Sequence, residues 1–167
     1  LKRNVLKFKA DIGFAFDGDA DRIVAVDRFG NILDGDKILY ILAKYYKLQN
    51  EDLKNVVGTS HTNMGIENAL NNLDINLIRA DVGDKYVLNE MLKQNCLIGG
   101  EQSGHIINLK YATTGDGILT AVILSKILKE QGDLTKFFDV KMLPQVNINV
   151  LTTDKLRVIN SEILSNT

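Results

Sequence analysis

The 167-residue chain has no tryptophan, one proline, one cysteine and two histidines, and each shortage removes a class of function. Cys96 alone rules out an intrachain disulfide framework and a cysteine-based metal cluster, and His61 with His105 leaves no histidine-rich metal site. A single cysteine suits a reducing compartment. No apolar run approaches the ~20 residues needed to cross a bilayer, and no basic stretch followed by an apolar segment opens the chain. No membrane partner is expected, and a cytoplasmic location is the default. Lys and Arg number 20 against 21 Asp and Glu, a formal charge of −1, so no global field recruits nucleic acid or an anionic surface. Any anionic ligand has to be held by local groups.

What is present suffices for a core. With 45% hydrophobic residues, a chain of this length should bury roughly 70% of the surface its unfolded form exposes. Ile12–Phe16 and Ile23–Val26 are short, branched and aromatic, and read as strands around the polar loop Asp17–Arg22. From Asp34 the period changes, and Ile38, Leu39, Ile41, Leu42 and Tyr45 predict an amphipathic helix begun by Asp34 or Asp36. Strands then follow at Asn55–Gly58, Ile75–Ile78 and Cys96–Ile98, alternating with helices at Gly65–Asn72 and Val82–Lys93. That order predicts an α/β fold: a three-layer domain with a mixed, largely parallel sheet flanked by helices, beside a strand hairpin. Asp116 should cap a long helix over Gly117–Glu130, Asp133–Phe138 reads as a short helix, and Pro144 leads into an edge strand or connector at Val146–Val150.

Two loops carry the chemistry. Asp17, Asp19 and Asp21 alternate with Gly18 and Ala20, and three crowded carboxylates repel one another unless a hard cation offsets them. Oxygen ligands without His or Cys point to Mg²⁺ or Mn²⁺. Arg22 adds a cationic fork suited to a phosphate or a carboxylate, which together suggests phosphoryl transfer. The calcium EF loop fails, because Arg22 and Arg28 stand where glycine and glutamate are required. An aspartate-nucleophile phosphatase and a solvated acidic turn stay open. The second loop, Gly99–His105, holds three glycines around Glu101, Gln102 and Ser103, backbone freedom that a tight turn or a ligand would use. Ser60 and His61 are adjacent, but no orienting acid completes a hydrolase triad, and Thr62 or Asn63 capping the next helix is the simpler role. Cys96 reads as buried packing.

Phe16–Arg22 resembles the metal-binding loop of the α-D-phosphohexomutases, and Gly99–His105 resembles their sugar-binding loop. Val82–Val87, Tyr111–Gly117 and Pro144–Val150 extend the similarity over residues 11 to 150, in family order. The glutamine at position 102 is most similar to the bacterial glucosamine-phosphate branch of the family. The resemblance implies residues 1–33 as the end of a second domain with the metal loop, 34–143 as a third domain with the sugar loop, and 144–167 as a connector toward a fourth. It further implies Mg²⁺ on Asp17, Asp19 and Asp21, with a phosphoserine oxygen from a first domain outside this chain. Arg22 and His105 would be catalytic, and Lys85, Glu101, Ser103 and His105 would bind a hexosamine phosphate. On that reading the chain alone is inactive, a piece of a longer enzyme, in keeping with its start at Leu1 without methionine. Alternatives are a glucose- or mannose-phosphate mutase and a sugar-phosphate binding module without turnover. His61 is a departure, since the related mutases more usually carry an apolar residue there.

Overall fold

The computed structural model describes residues 1–49, 52–135, 137–146, 148 and 151–154. Two sheets share one core. The first is an antiparallel meander of β1 (Ile12–Phe16), β2 (Ile23–Asp27) and β3 (Ile32–Leu33), turned at Asp27, whose carboxylate accepts the Phe29 and Asn31 amides at 2.9 and 2.8 Å. The short helix α1 (Lys2–Phe8) lies against it through Val5, which occupies the space left by the missing side chain of Gly13.

The second sheet has the order β5–β4–β6–β7, from β4 (Asn55–Thr59), β5 (Asn76–Ala80), β6 (Ile98–Gly100) and β7 (Ile106–Asn108). β4 runs parallel to β5 and β6, whereas β7 returns antiparallel to β6, so the sheet is mixed and largely parallel. Alternating side chains assign its faces. Val56, Leu77, Ile98 and Ile106 enter the larger core with α2 (Gly35–Leu48), α3 (Met64–Asn71) and α5 (Gly117–Gln131). Their neighbours Val57, Ile78 and Ile107 enter a smaller core with Val87 and Met91 of α4 (Asp84–Gln94). The period of two thus builds helix, sheet and helix layers.

Asp34 caps α2 by accepting the Lys37 amide at 3.1 Å, Asn63 caps α3, and Asp116 caps α5 by accepting the Leu119 amide at 2.8 Å. Helix α2 is more enclosed than an amphipathic stripe predicts: Tyr40, Ala43 and Tyr46 are buried along with Ile38, Leu39, Ile41, Leu42 and Tyr45. It fills the space between the two sheets and meets α3, β3 and β6. Among the described residues of the segment expected as a helix at Asp133–Phe138, only turns form. Asp133 folds back onto the Thr135 amide at 2.8 Å, while Phe137 and Phe138 both donate to the Leu134 carbonyl. The strand expected at Val146–Val150 falls largely on residues outside the described ones. No helix among the described residues is long and apolar enough to cross a membrane.

Candidate functional site

The acidic loop joins β1 to β2, and Ala20 adopts a left-handed backbone (φ 59°) that lets it turn within six residues. Ligand oxygens of Asp17, Asp19 and Asp21 come within 4.8 Å of one another. Oxygens bound to one Mg²⁺ ion stand about 3.0 Å apart when adjacent and about 4.2 Å when opposite, so side-chain rotation would bring the three onto one cation. The donor set is entirely carboxylate, which fits a hard divalent ion. Arg22 closes the loop: its amide donates to Asp17 Oδ1 at 3.2 Å, and its Nε lies 3.8 Å from Asp17 and 3.9 Å from Asp21. The guanidinium side chain is 53% exposed, so these ion pairs add little stability and leave most of the fork available.

The glycine-rich segment is the connection between β6 and β7. Gly104 donates to the Glu101 carbonyl at 2.9 Å, Glu101 donates to the His105 carbonyl at 3.0 Å, and Gly104 sits at φ 96°. This is a three-residue hairpin loop in which only glycine takes the left-handed position without strain. A side chain on Gly104 would strike the Ile23 carbonyl, and one on Gly35 would strike the Glu101 carbonyl. The turn is therefore wedged between β2 and the start of α2. Ile23 donates to Gly104 at 3.1 Å, Gly35 donates to the Gln102 carbonyl at 3.1 Å, and Gly117 donates to Ala20 at 2.9 Å. Main-chain bonds thus tie the acidic loop, the turn and the start of α5 together.

Between them opens a cleft of about 490 Å³, bordered by Asp21, Arg22, His61, Gly83, Glu101 and Ser103. It lies at the carboxyl ends of β4, β5 and β6, where open α/β sheets bind ligands. A larger hollow of about 620 Å³ lies at the opposite ends of β4 and β6, beside Asp52, Lys54 and Cys96, away from both loops. The clustered carboxylates and the converging polar groups favour the smaller one.

The residues singled out from sequence do not share one environment. Glu101 is 9% exposed and spends Oε1 on the Gly83 amide at 2.9 Å, which fixes the turn to the entrance of α4. Ser103 is exposed at the cleft edge. His105 is 3% exposed, with Nδ1 at 3.0 Å from Asp21 Oδ2 and Nε2 accepting the Gly115 amide at 3.1 Å, so both ring nitrogens are already bonded to protein. Lys85 is exposed on the first turn of α4, its ammonium 4.7 Å from the centroid of the Tyr86 ring, and does not border the cleft.

Sequence reasoning missed several supports. Arg79 donates to the carbonyls of Thr59 and Thr62 at 3.1 and 2.9 Å and to Glu67 at 2.6 Å, clamping the loop that carries His61. Asn63, expected as a helix cap and accepting the Gly65 amide as one, also accepts the Leu143 amide through Oδ1 and donates from Nδ2 to the Leu143 carbonyl, and Gln145 donates to the His61 carbonyl, links to residues 143–145 that the sequence did not signal. Asp36, 1% exposed, accepts the Asn63 amide at 2.9 Å through Oδ2. The nearby Thr62 hydroxyl favours the ionised carboxyl, yet Oδ1 has no partner within hydrogen-bonding distance. Burial is the main cause that pushes the Asp36 carboxyl up to about 6, with the Asn63 amide opposing it and Asp34 adding to it.

Residues 34–142 match the family model described as phosphoglucomutase/phosphomannomutase, alpha/beta/alpha domain III. The phosphoglucosamine mutase of Ruminiclostridium cellulolyticum is 47% identical over 98% of this chain and 38% of its own length. That of Natranaerobius thermophilus is 49% identical over 96% of this chain and 37% of its own length. The crystal structure of a phosphoglucomutase/phosphomannomutase family protein from Burkholderia thailandensis superposes with a TM-score of 0.74 at 23% identity, covering 82% of this chain and 30% of that one, which shows the shared fold. The chain spans less than two fifths of the length of these curated relatives. A domain model matched over most of the chain, and near-half identity along almost all of it, establish that the chain belongs to the α-D-phosphohexomutase family.

Proposed function

We propose that this chain is the metal-loop and sugar-loop portion of a phosphoglucosamine mutase, which interconverts glucosamine 6-phosphate and glucosamine 1-phosphate. Residues 1–33 form the end of its second domain, 34–143 its third, and 144–167 the connector toward a fourth. The observation that carries this reading is the main-chain coupling of the acidic loop to the Glu101–Gly104 turn at one cleft.

Asp17, Asp19 and Asp21 hold a divalent cation, taken to be Mg²⁺. When bound, it draws charge from a phosphoryl group in transfer. That group comes from a phosphoserine in the first domain, beyond this chain. The serine oxygen–phosphorus bond breaks as a sugar hydroxyl oxygen takes the phosphoryl group, and the hydroxyl's proton ends on the serine oxygen. A bisphosphorylated sugar results, turns over, and returns its other phosphoryl group to serine. Arg22, with its fork largely exposed, balances charge on the moving group. Glu101 keeps Oε2 for a sugar hydroxyl, since Oε1 is committed to Gly83, and Ser103 offers a donor or acceptor at the cleft edge. Lys85, one residue beyond the cleft lining, reaches toward a phosphate as a flexible point charge. His61 stands at the cleft wall with no assigned step.

The test is turnover of glucosamine phosphates by the complete protein with and without Mg²⁺. Asp19→Asn should remove most of the Mg²⁺-dependent transfer. Unchanged transfer refutes the metal site. Competition by glucose or mannose phosphates that outruns the amino sugar moves the chain to a sister branch, and tight binding without serine phosphorylation reduces it to a binding module.

A further inference from the structure

Resting on the sugar-phosphate reading above, we infer that His61 is a substrate-binding residue that donates to the ligand's phosphate at the end of the cleft away from the acidic loop. Strand order sets up the two ends. The Glu101–Gly104 turn abuts β2 on one side, through the Ile23 and Gly104 main chains, and on the other side β6 has β4 as its neighbour. A sugar held at Glu101 and Ser103 therefore has the acidic loop at one end. At the other end it meets the carboxyl ends of β4 and β5, where His61, Gly83 and Asp84 border the cleft. Glucosamine 6-phosphate that offers its C1 hydroxyl to the acidic loop places its phosphate at this far end. Glucosamine 1-phosphate turned the other way does the same, so one contact serves both directions.

The far end has acceptors and committed donors, and His61 supplies what they lack. The Gly83 amide is bound to Glu101 at 2.9 Å, and Asp84, an acceptor, is folded onto the Lys85 amide at 2.7 Å. The Thr59 hydroxyl is buried and accepts the His61 amide at 3.2 Å. The His61 ring is exposed on the cleft wall, and no described residue hydrogen-bonds to it. Either protonation state of an imidazole offers an N–H to a phosphate oxygen, and Lys85 stands close by to add its charge from the rim. Metal ligation does not account for the ring, because among the described residues the acidic loop is the group whose ligating atoms converge. The turn that presents the ring is braced through its main chain. Thr62 donates to the Thr59 carbonyl at 3.0 Å, its hydroxyl accepts the Thr59 amide at 3.0 Å, and Ser60 donates to Ala80 of β5 at 3.0 Å. Arg79 holds the Thr59 and Thr62 carbonyls, and Gln145 holds that of His61 at 2.8 Å. These bonds leave the imidazole out, so the support is set whatever side chain stands at position 61, and the ring is poised before a ligand arrives.

The experiment uses the complete protein. His61→Leu should raise KM about 10-fold or more for both glucosamine 6-phosphate and glucosamine 1-phosphate, the loss expected for a hydrogen bond to a charged group. The change in kcat should be much smaller, because the phosphate contacted is not the one in transfer. His61→Gln, which keeps an N–H, should recover part of the affinity, and urea midpoints of both variants should match the unaltered protein. In ring-¹⁵N histidine spectra of the unaltered protein, glucosamine 6-phosphate should shift the His61 resonances and glucosamine without phosphate should leave them in place. An unchanged KM in His61→Leu, a loss confined to kcat, or His61 resonances that respond alike to the two sugars overturns the inference, and continued turnover of glucosamine phosphates leaves the proposed function standing. A complete protein that neither binds nor turns over hexose phosphates overturns both. The spectra are read on the unaltered protein and so decide the matter even if a variant does not fold.

Discussion

Replacing Asp36 with asparagine should stabilise the fold at neutral pH, and the gain should shrink as the pH falls. The carboxyl is buried beneath the loop before α3 with one oxygen unpartnered, and its pKa rises from 3.8 to about 6. In the unfolded chain it ionises near 3.8; in the folded chain it holds its proton until about 6. The folded state therefore binds the proton more tightly, and stability from this group is fully present below the unfolded value and lost as pH rises through the folded one. At ~1.4 kcal/mol per pKa unit the full cost of ionising the buried group is ~3 kcal/mol, reached above about pH 7. Asparagine escapes that cost, keeps an oxygen for the Asn63 amide, and needs an acceptor for its own N–H groups, which the Thr62 hydroxyl can supply. Any shortfall there is a constant of about 1–3 kcal/mol, independent of pH. The decisive quantity is thus a difference of differences: urea denaturation of both proteins should show the variant's relative stability larger by about 1.5 kcal/mol at about pH 7.5 than at about pH 5. Equal offsets at the two values, or an advantage that grows on acidification, would refute the reasoning.

Gly104→Ala should cost at least about 1–2 kcal/mol from the left-handed backbone alone, with the clash against the Ile23 carbonyl added, and urea melts will show whether it does. Arg79→Ala should remove about 1–3 kcal/mol and speed amide exchange in the loop before α3, since charged hydrogen bonds to its carbonyls are lost. Arg79→Lys should rescue only part of this, because an ammonium lacks the fork that reaches Thr59, Thr62 and Glu67 together.

Much of the fold was legible because local signals agreed. Asp34 and Asp116 announce helices that they cap, and the acidic hexapeptide lies between two runs of strand-forming residues. What escaped was short or non-local. β7 has three residues and exists by pairing back on β6, and β3 has two that pair with β2. α1 buries only Val5, so no apolar period marks it. The segment after Gly132 reads as a helix in sequence, yet although Asp133 accepts the Thr135 amide as Asn63 accepts that of Gly65 at the start of α3, only turns follow among its described residues. At the site, residue types were informative and partners were not. That His105 is committed to Asp21, 84 positions away, and that Glu101 spends an oxygen on Gly83, depend on how the strands end and on nothing nearby in the chain.

The wedging of the Glu101–Gly104 turn between β2 and α2 makes the spacing of the two loops a construction constant. A ligand that spans them meets a gauge already set at folding, so little ordering entropy is spent by the protein on capture.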